Sequence, residues 1–400
     1  MEDSYIYKNQ KKLRWGYTTG TCAAAASLAA AVMLLQGRRM EHVSLMTPKG
    51  IRLDLEVEAL AMDENGASCC VRKDAGDDPD VTDGLAVYSS LHIGDMKDIG
   101  SSGDYVYEND EFRLILSGGV GVGRVTKKGL SCEVGKPAIN PVPRQMIFSQ
   151  VANLCQRCGF RGVLNIEISV PEALGVAGRT FNGKLGILGG ISILGTSGIV
   201  EPMSEAALLE TIRLELRQRV QGGEGLLLAT PGNYGQAYVS SVLGLGLGQA
   251  VKCSNFIGNT IDMAVEEGVR ELLLIGHGGK LIKLAAGIMN THSSAADGRM
   301  EVLAAHGAAC GAGRKLVEQI LEAVTVDEGL RLLESEKGLR ERTMERIMNR
   351  MEGHLKRRAG DRLRVEAIVF TNERGILGAT SAAKEMLLRY KNRLMNERRI

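Results

Sequence analysis

The second half of the chain repeats one pattern of apolar and glycine-containing segments. Three times, a short apolar run is followed by a loop that contains glycine and then by a helix-like run. The repeats read GLLLAT-PGNYG-QAYVSSVLG, QAVKCS-NFIGN-TIDMAVEEG and ELLLIG-HGGK-LIKLAAGIM. This alternation is typical of a parallel sheet flanked by helices. We therefore predict a Rossmann-like α/β domain with a mostly parallel sheet over residues 181–400.

Other segments complete this predicted domain. LGILGGISIL should supply a strand at its start, and VEAIVF should supply a late strand. A helix is predicted between the first strand and the repeats, with one apolar face made of Leu208, Ile212, Leu216 and Val220. The highly charged residues 323–362 are predicted to form helices in a solvated outer layer.

The first half of the chain has a different rhythm. IRLDLEVE alternates apolar and charged residues, which indicates a half-exposed antiparallel strand. HVSLM, ASCCVRK, FRLILSG and GVLNIEISV are predicted to be further strands. An alanine-rich helix, capped by Thr19 or Thr21 and ended by Gly37, is apolar on all sides and should be buried. A second helix should follow PAINPVPR and reach Cys158, so we predict an α+β domain over residues 1–180.

Composition narrows the classes of partner. The 400-residue chain has 49 basic and 47 acidic residues, and only 4% of it is aromatic, so the surface typical of nucleic-acid binding is not expected. The start, MEDSYIYKNQKK, lacks the apolar run of a signal peptide. The apolar stretch CAAAASLAAAVMLL, at 14 residues, is too short to span a bilayer. We predict a cytoplasmic protein that binds neither nucleic acid nor membrane.

The metal-ligating residue types do not form a recognisable site. Eight cysteines are expected to be reduced thiols, and the lone CxxC of Cys155 and Cys158 should be two thiols on one buried helix face. The aspartates of the acidic turn do not follow the EF-hand order and should cap their own turn; they are Asp74, Asp77, Asp78 and Asp80. Zinc-enzyme spacing is absent among His277, His292, His306, Asp297 and Glu301. We predict no protein-bound metal.

The 50 glycines cluster in loops, which suggests where a ligand binds. In an open parallel sheet, ligands bind beyond the carboxyl ends of the strands. Four loops are predicted to lie at that edge, over residues 189–198, 230–235, 254–259 and 276–280. Their backbone N–H groups and small hydroxyls suit a carboxylate or a ribose. The alternative is that these glycines form tight corners packed against neighbouring protein.

Several longer segments resemble one family in their order and spacing. They are LRWGYTTGTCAAAA, KDAGDDPDVTDG, GGVGVGRVTKKGL, PAINPVPRQMI, GILGGISILGTSGIVEPMSE, TPGNYG, SNFIGNTIDMA and IGHGGKLIKLAAGIMNTHSSAADGR. Over roughly residues 13–310, the chain closely resembles the CbiD family, the cobalt-precorrin-5B C-1 methyltransferases of the anaerobic cobalamin pathway. It departs from the family pattern at Trp15, a variable place, and at Ser197, where a second threonine is common.

The resemblance implies a reaction and its two substrates. S-adenosylmethionine would donate the methyl group, a cobalt-bound tetrapyrrole rich in carboxylates would accept it, and cobalt-precorrin-6A would be the product. Cobalt would then belong only to the substrate. The sequence has neither a clean G-x-G-x-G loop nor the signature of the tetrapyrrole methyltransferases that act at other carbons. Because the sulfonium methyl group is already electrophilic, the enzyme's main task would be alignment of the two substrates.

Site residues follow from this reading. The donor is predicted to bind at Gly189, Gly190, Thr196, Ser197 and Gly198, with side-chain bonds from Asn233 and Asn255. The acceptor's carboxylates should meet basic and hydroxyl groups of Arg14, Thr18, Thr19, Arg144 and Lys280, with Arg124 and Arg299 as further candidates. His277 is the one residue predicted to act in proton transfer or to contact the macrocycle.

Two other functions fit parts of the pattern. A nicotinamide-dependent oxidoreductase also uses glycine loops on a parallel sheet, but no G-x-G-x-x-G follows a strand with an acidic residue about twenty positions on. A non-catalytic tetrapyrrole carrier would bind the macrocycle without a donor. The sequence does not fix the oligomeric state, so a homo-oligomer stays open.

Overall fold

The chain folds into two compact units, Met1–Glu205 (unit 1) and Ala206–Ile400 (unit 2). The computed structural model describes residues 5–8, 10–95, 103–183, 185–241, 244 and 249–397. The division falls later than the predicted boundary between residues 180 and 181. The cause is the glycine-rich segment before it, whose short strands hydrogen-bond to strands of unit 1.

Unit 1 is built mainly from strands. They are β1 (Tyr5–Lys8), β2 (Lys11–Arg14), β3 (Gly16–Tyr17), β4 (His42–Met46), β5 (Arg52–Glu56), β6 (Glu58–Met62), β7 (Gly66–Arg72), β8 (Ala86–Gly94), β9 (Tyr105–Glu108), β10 (Phe112–Gly118), β11 (Gly121–Val122), β12 (Arg124–Val125), β13 (Gly162–Ser169), β14 (Ile187–Leu188), β15 (Gly190–Ile191) and β16 (Ile199–Val200). The helices are α1 (Thr19–Gln36), α2 (Pro141–Cys158) and α3 (Ala173–Val176).

A six-stranded sheet of order β6-β7-β8-β13-β10-β9 is the largest sheet of unit 1. Only β10 and β13 pair in parallel, which confirms the mixed α and β character predicted for this half. The alternating exposure of β5 confirms the half-exposed strand predicted from IRLDLEVE. The central strand β8 was not predicted, because two serines interrupt its apolar residues. One of them, Ser89, is buried and bonds to the Ser27 hydroxyl of α1 at 2.9 Å.

Helix α1 forms the centre of the unit 1 core. Thr18, not Thr19 or Thr21, is its N-cap and accepts a hydrogen bond from the Thr21 N–H, while Gly37 ends the helix as predicted. The helix is long and apolar enough to pass as a membrane span, yet 78% of it is buried inside the fold. Its alanines let α2 and the sheet approach closely, so its apolar character is explained by the core.

Helix α2 starts at Pro141 and ends at Cys158, with Gly159 as its C-cap, in agreement with the predicted second helix. The prediction for its CxxC is only half right. Cys155 is buried, but Cys158 is exposed at the last turn and lies 3.5 Å from the Gln36 amide. Because an α-helix has about 3.6 residues per turn, two side chains three residues apart do not point in the same direction. Cys158 is also the last residue of the helix, where the chain leaves the core.

Unit 2 contains a five-stranded sheet and most of the helices. The strands are β17 (Leu226–Thr230), β18 (Ala250–Lys252), β19 (Glu271–His277), β20 (Arg364–Thr371) and β21 (Gly375–Ala379). The helices are α4 (Glu205–Gln221), which begins at the unit boundary, α5 (Gly232–Ser241), α6 (Ile257–Glu266), α7 (Gly278–Leu281), α8 (Arg299–Ala309), α9 (Arg314–Glu322), α10 (Val326–Leu333), α11 (Leu339–Ala359) and α12 (Ala383–Glu397).

The sheet of unit 2 has the order β18-β17-β19-β20-β21. The first four strands are parallel neighbours, and β21 is antiparallel at the edge. Alternate residues of one strand enter two different cores. Leu227 packs with α6 and α8 to α11, while its neighbour Leu228 packs with α5 and α12. Helices therefore cover both faces, which explains the continuous apolar strands.

The charged region after residue 323 is more than an outer layer. Helix α11 has exposed charges on one side, as predicted. Its other side buries apolar residues that belong to the larger core of unit 2: Met344, Ile347, Met348, Met351 and Leu355. This apolar face is not evident from the sequence when the region is assessed only by its many arginines and glutamates.

Candidate functional site

Strand order in unit 2 defines a topological switch point. From β17 the chain passes to β18 on one side, and then crosses to β19 on the other side. The loops after β17 and β19 therefore leave the sheet in opposite directions and open a crevice between their carboxyl ends. Ligands of open α/β sheets bind in such a crevice. The residues that end these strands, Thr230 and His277, mark its position.

Thr230 places a hydroxyl at this point without a partner. It is the last residue of β17 and is fully buried. Its backbone carbonyl accepts a hydrogen bond from Cys253, but its Oγ1 has no hydrogen-bond partner among the residues that the structure describes. A buried hydroxyl that lacks a bond costs about 1–3 kcal/mol. A ligand bound at the switch point would supply the hydrogen bond that this oxygen lacks.

Lys280 reaches across the switch point from α7, the short helix that follows β19. Its Nζ lies 2.9 Å from the position that a Cβ on Gly232 would occupy, so the end of the lysine side chain lies directly beside this glycine. Within the described part of the chain, no carboxylate lies within ion-pair distance of Lys280. Burial lowers the pKa of the Lys280 ammonium, and the charges of Lys252 and Lys283 add to this effect. The edge thus holds a half-buried cation that would gain from a bound anion.

The loop after β18 supplies further polar groups at the same edge. Ser254 has a positive φ of 52°, a strained backbone for a residue other than glycine. The next residue, Asn255, accepts hydrogen bonds through its backbone carbonyl and its Oδ1 from the N–H and hydroxyl of Thr291, at 2.9 and 3.4 Å. Its side-chain NH₂ is left to donate elsewhere. Asn233 lies on α5, but its side chain falls outside the described residues.

His277 has a defined tautomer in its neutral form. Its Nδ1 accepts the Gly279 N–H at 3.1 Å, so the neutral ring carries its proton on Nε2. Burial lowers the pKa of His277, although the negative charge of Asp327 opposes this effect. The ring also meets the edge of Phe370, with centroids 5.7 Å apart. At neutral pH, His277 is therefore placed to donate a hydrogen bond from Nε2.

The glycine-rich segment over residues 189–198 lies elsewhere. The prediction that it follows a strand of the parallel sheet is wrong, because β15 pairs with β11 in unit 1 and β14 pairs with β12. A Cβ on Gly190 would lie 2.2 Å from the Gly121 carbonyl oxygen. Gly195 and Gly198 are likewise closed in, by Thr18 and Thr47. Packing inside unit 1 accounts for these glycines.

The hydroxyls of Thr19 and Thr21 in unit 1 already form hydrogen bonds to that same segment. Thr19 Oγ1 donates to the Leu194 carbonyl and accepts from the Leu194 N–H. Thr18 caps α1, and Thr21 bonds to the Gly198 carbonyl at 2.7 Å. Thr18 and Thr19, predicted to bind substrate, thus join the start of α1 to the glycine segment. Ser197 bonds to Ile199, and Thr196 is exposed.

The acidic turn is closed only in part by its own hydrogen bonds, because two of the four aspartates predicted to cap it accept from residues outside the turn. Arg14, a predicted carboxylate-binding residue, is held by both oxygens of Asp74 at 2.6 and 2.7 Å. Asp80 pairs with the buried Lys73 and caps Thr82. The remaining aspartates accept backbone N–H groups: Asp77 from Arg14, Asp78 from Met203 and Asp83 from Ala75. These carboxylates are committed to the loop structure, and Arg14 is committed with them.

The other predicted cations differ in their surroundings. Arg299 forms a two-bond ion pair with Asp297. Arg144 stacks on the Tyr105 ring in unit 1, with its guanidinium carbon 4.0 Å from the ring centroid. Of the predicted residues, the structure brings Lys280, His277 and Asn255 to one edge of unit 2, while the glycine segment and Arg14 belong to unit 1. The sequence interpretation placed Thr230 in a candidate loop but did not name it as a site residue; its signal is a small polar residue that ends an apolar strand.

The fold defines a class: a two-unit α/β protein whose second unit has a mostly parallel sheet with a topological switch point. Comparison with known proteins is consistent with this class and narrows it. The CbiD family model matches residues 6–202, and the model described as CbiD, C-terminal domain, matches residues 290–381. This chain belongs to the CbiD family.

Curated relatives extend over nearly the whole chain. A cobalt-precorrin-5B C(1)-methyltransferase from Ruminiclostridium cellulolyticum is 46% identical over 92% of each chain. Proteins of the same name from Alkaliphilus metalliredigens and Photorhabdus laumondii are 44% and 40% identical, over 96% and 97% of this chain and 97% and 98% of their own. A crystal structure of the cobalamin biosynthesis protein CbiD from Archaeoglobus fulgidus is 28% identical and aligns over 74% of this chain and 87% of its own, with a TM-score of 0.38.

Proposed function

We propose that this protein transfers a methyl group from S-adenosylmethionine to C-1 of cobalt-precorrin-5B, giving cobalt-precorrin-6A. The relatives that span the chain support this reaction, since they are named cobalt-precorrin-5B C(1)-methyltransferases. Their names support neither a nicotinamide-dependent oxidoreductase nor a non-catalytic carrier. Cobalt is part of the acceptor in this proposal, and the protein supplies no metal of its own.

The donor is proposed to bind at the carboxyl edge of unit 2, in a Rossmann-like arrangement. The single observation that carries this placement is the half-buried Lys280, which lies across the switch point beside Gly232 without a carboxylate partner among the described residues. The methionine part of the donor carries a carboxylate that such a cation would bind. The unsatisfied Thr230 Oγ1 fits the same ligand, because its polar groups could give that hydroxyl the bond it lacks.

Each residue at this edge has a distinct task. The Lys280 ammonium binds the carboxylate, and the Thr230 hydroxyl and Asn255 amide orient the polar groups of the donor. The donor supplies an electrophilic methyl group, so the protein needs no nucleophile of its own. His277 holds a proton on Nε2 and donates it in a hydrogen bond. To accept a proton it would have to use Nδ1, which the Gly279 N–H occupies.

The glycine segment over residues 189–198 stays a second candidate donor loop. The exposed Thr196 and Gly189 favour it, because both are accessible at the surface of unit 1. Gly190 and Gly198 fit it less well, since protein atoms fill the space beside them.

The cytoplasmic location also remains a proposal from the sequence.

The reaction is tested by incubating the purified full chain with cobalt-precorrin-5B and S-adenosylmethionine labelled with carbon-13 in the methyl group. The proposal predicts one labelled methyl group at C-1 in the product and one S-adenosylhomocysteine released per product. A label at another ring carbon would contradict the assigned position. Tight binding of NADPH together with no labelled product would favour the oxidoreductase instead.

A further inference from the structure

One surface of unit 1 carries an excess of positive charge. Residues 121–145 contain five basic residues and one acidic residue: Arg124, Lys127, Lys128, Lys136 and Arg144 against Glu133. Lys136 approaches Glu133 only at 3.7 Å, and that carboxylate is largely exposed. The Arg124 guanidinium donates to the Gly135 carbonyl, and no ion pair to a carboxylate is formed by it within the described part of the chain. In the rest of the chain, basic and acidic residues are nearly balanced, so this imbalance is local.

Apolar side chains are exposed among these cations. Arg124 and Leu188 are opposite partners of the antiparallel pair β12–β14, so their side chains project from the same face. Leu188 is 55% exposed. The Arg124 guanidinium reaches residue 135, next to Val134, which is 53% exposed. The stem of Lys127 lies against Gly186, two residues before Leu188. Apolar and cationic groups thus alternate on one continuous surface.

Arg144 and Lys136 extend this surface over an aromatic ring. Both side chains lie over Tyr105, with the Arg144 guanidinium carbon 4.0 Å and the Lys136 Nζ 5.0 Å from its centroid. The hydroxyl of Tyr105 donates a hydrogen bond to the Pro137 carbonyl at 2.9 Å, which fixes the position of the ring. The Arg144 Nε is buried and has no hydrogen-bond partner among the described residues. Stacking on Tyr105 holds this guanidinium in place at the edge of the surface.

We propose that this surface binds the carboxylated rim and one apolar face of the tetrapyrrole acceptor; it is formed by Arg124, Lys127, Lys128, Val134, Lys136, Arg144 and Leu188. The inference rests on the proposed function, because the acceptor it takes is the one named there. A macrocycle has a flat apolar body surrounded by carboxylates. Exposed Leu188 and Val134 match the body, and the surrounding cations match the rim.

Equilibrium binding of uroporphyrin, a tetrapyrrole with a carboxylate on every side chain, tests the surface in the full chain. We compare the wild type with Lys127→Gln/Lys128→Gln and with Leu188→Ser, all at exposed positions. Lys11→Gln/Lys12→Gln is the matched control, since it removes an adjacent exposed lysine pair from the β1–β2 hairpin. We expect about tenfold weaker binding for the first variant, about threefold weaker binding for Leu188→Ser and no change for the control.

Several results would overturn the proposal. Unchanged affinity in both surface variants would place the macrocycle elsewhere, and absence of uroporphyrin binding by the wild type would remove its basis. An equal loss in the control pair, or equal competition by a single-stranded oligonucleotide, would show general attraction of polyanions. S-adenosylhomocysteine binding is measured on the same variants and should not change. A failed methyl-transfer assay with the uroporphyrin effect intact would instead refute the proposed function and leave a tetrapyrrole site.

Discussion

Unit 1 and unit 2 each contain a cluster of glycines, but different atoms face them. In the segment over residues 189–198, Gly190 faces the Gly121 carbonyl and Gly195 faces the Thr18 side chain. At the carboxyl edge of unit 2, Gly232 faces the ammonium of Lys280. The first cluster lets protein atoms of unit 1 pack closely together, whereas the second borders the ammonium of a lysine at a switch point.

This contrast shows why glycine content alone does not locate a ligand. Both clusters are rich in glycine and small polar residues, and both follow apolar runs. What differs is the state of the polar groups around them. The hydroxyls of Thr18, Thr19 and Ser197 are bonded within unit 1, while the Thr230 hydroxyl in unit 2 lacks a partner among the described residues. Unsatisfied groups are therefore the better guide to a site.

The largest expected effect is on the stability of unit 1. Gly190→Ala would place its Cβ 2.2 Å from the Gly121 carbonyl oxygen, and we expect the free energy of unfolding to fall by about 3 kcal/mol. Gly189→Ala meets no atom within 4 Å and should cost only the strain of its positive φ, about 1 kcal/mol. Urea unfolding midpoints of the two variants measure the difference. Equal midpoints would mean that packing does not explain this cluster.

Thr230→Val should separate a binding role from a structural one. Valine keeps the shape and removes the unpartnered hydroxyl, so stability should stay the same or rise. If the hydroxyl binds the donor, the affinity for S-adenosylhomocysteine should fall about fivefold, the value of one hydrogen bond. Calorimetric titration and a thermal melt of the same sample give both quantities. A loss of stability with unchanged affinity would assign Thr230 a purely structural role.

The half-buried His277 should make unit 2 sensitive to acid. Burial lowers its pKa below the ordinary 6.5, so the unfolded chain takes up this proton at a higher pH than the folded chain does. The stability that the neutral ring provides is complete above pH 6.5 and is lost as the pH falls towards the lowered pKa. His277→Asn keeps an acceptor for the Gly279 N–H but cannot titrate. Urea midpoints between pH 7.5 and 5, approximately, should therefore fall less steeply in the variant; parallel curves would contradict the assignment.

The smallest effect is expected at Thr196. Its side chain is exposed, and Thr196→Val should change the stability by less than about 0.5 kcal/mol. If the donor binds only in unit 2, its affinity should also stay within about twofold of the wild type. Calorimetry with S-adenosylhomocysteine decides between the two loops. A clear loss of affinity in this variant would restore the glycine segment as the donor site.

Much of unit 2 could be predicted from its sequence, because its strands are buried on both faces and read as continuous apolar runs. GLLLAT, ELLLIG and VEAIVF all form strands where expected. The glycine segment was misassigned for the same reason. ILGGISIL has the composition of such a strand, but its register partners lie on β11 and β12, more than sixty residues earlier, and no local pattern encodes that pairing.

The candidate site could be predicted only in part. His277, Lys280 and Asn255 come from the segments that the repeated pattern points to, but the sequence assigned Lys280 to the acceptor, whereas we now propose it for the donor. Thr230 could not be distinguished from other threonines, because its missing hydrogen bond depends on the packing of α5 over β17. Arg14 looked available for a carboxylate until the fold brought Asp74, sixty positions away, to its guanidinium. Long-range pairing decided each of these outcomes.

The central claim is that the Lys280 cation binds the carboxylate of the methyl donor at the switch point of unit 2. The most direct test is calorimetric titration of S-adenosylhomocysteine into Lys280→Met, with Lys315→Met as the control that removes an exposed lysine of the same unit. Loss of one charge-assisted bond should weaken binding at least about tenfold in Lys280→Met and leave the control unchanged. Wild-type affinity in a folded Lys280→Met variant would contradict the account and move the donor away from this edge.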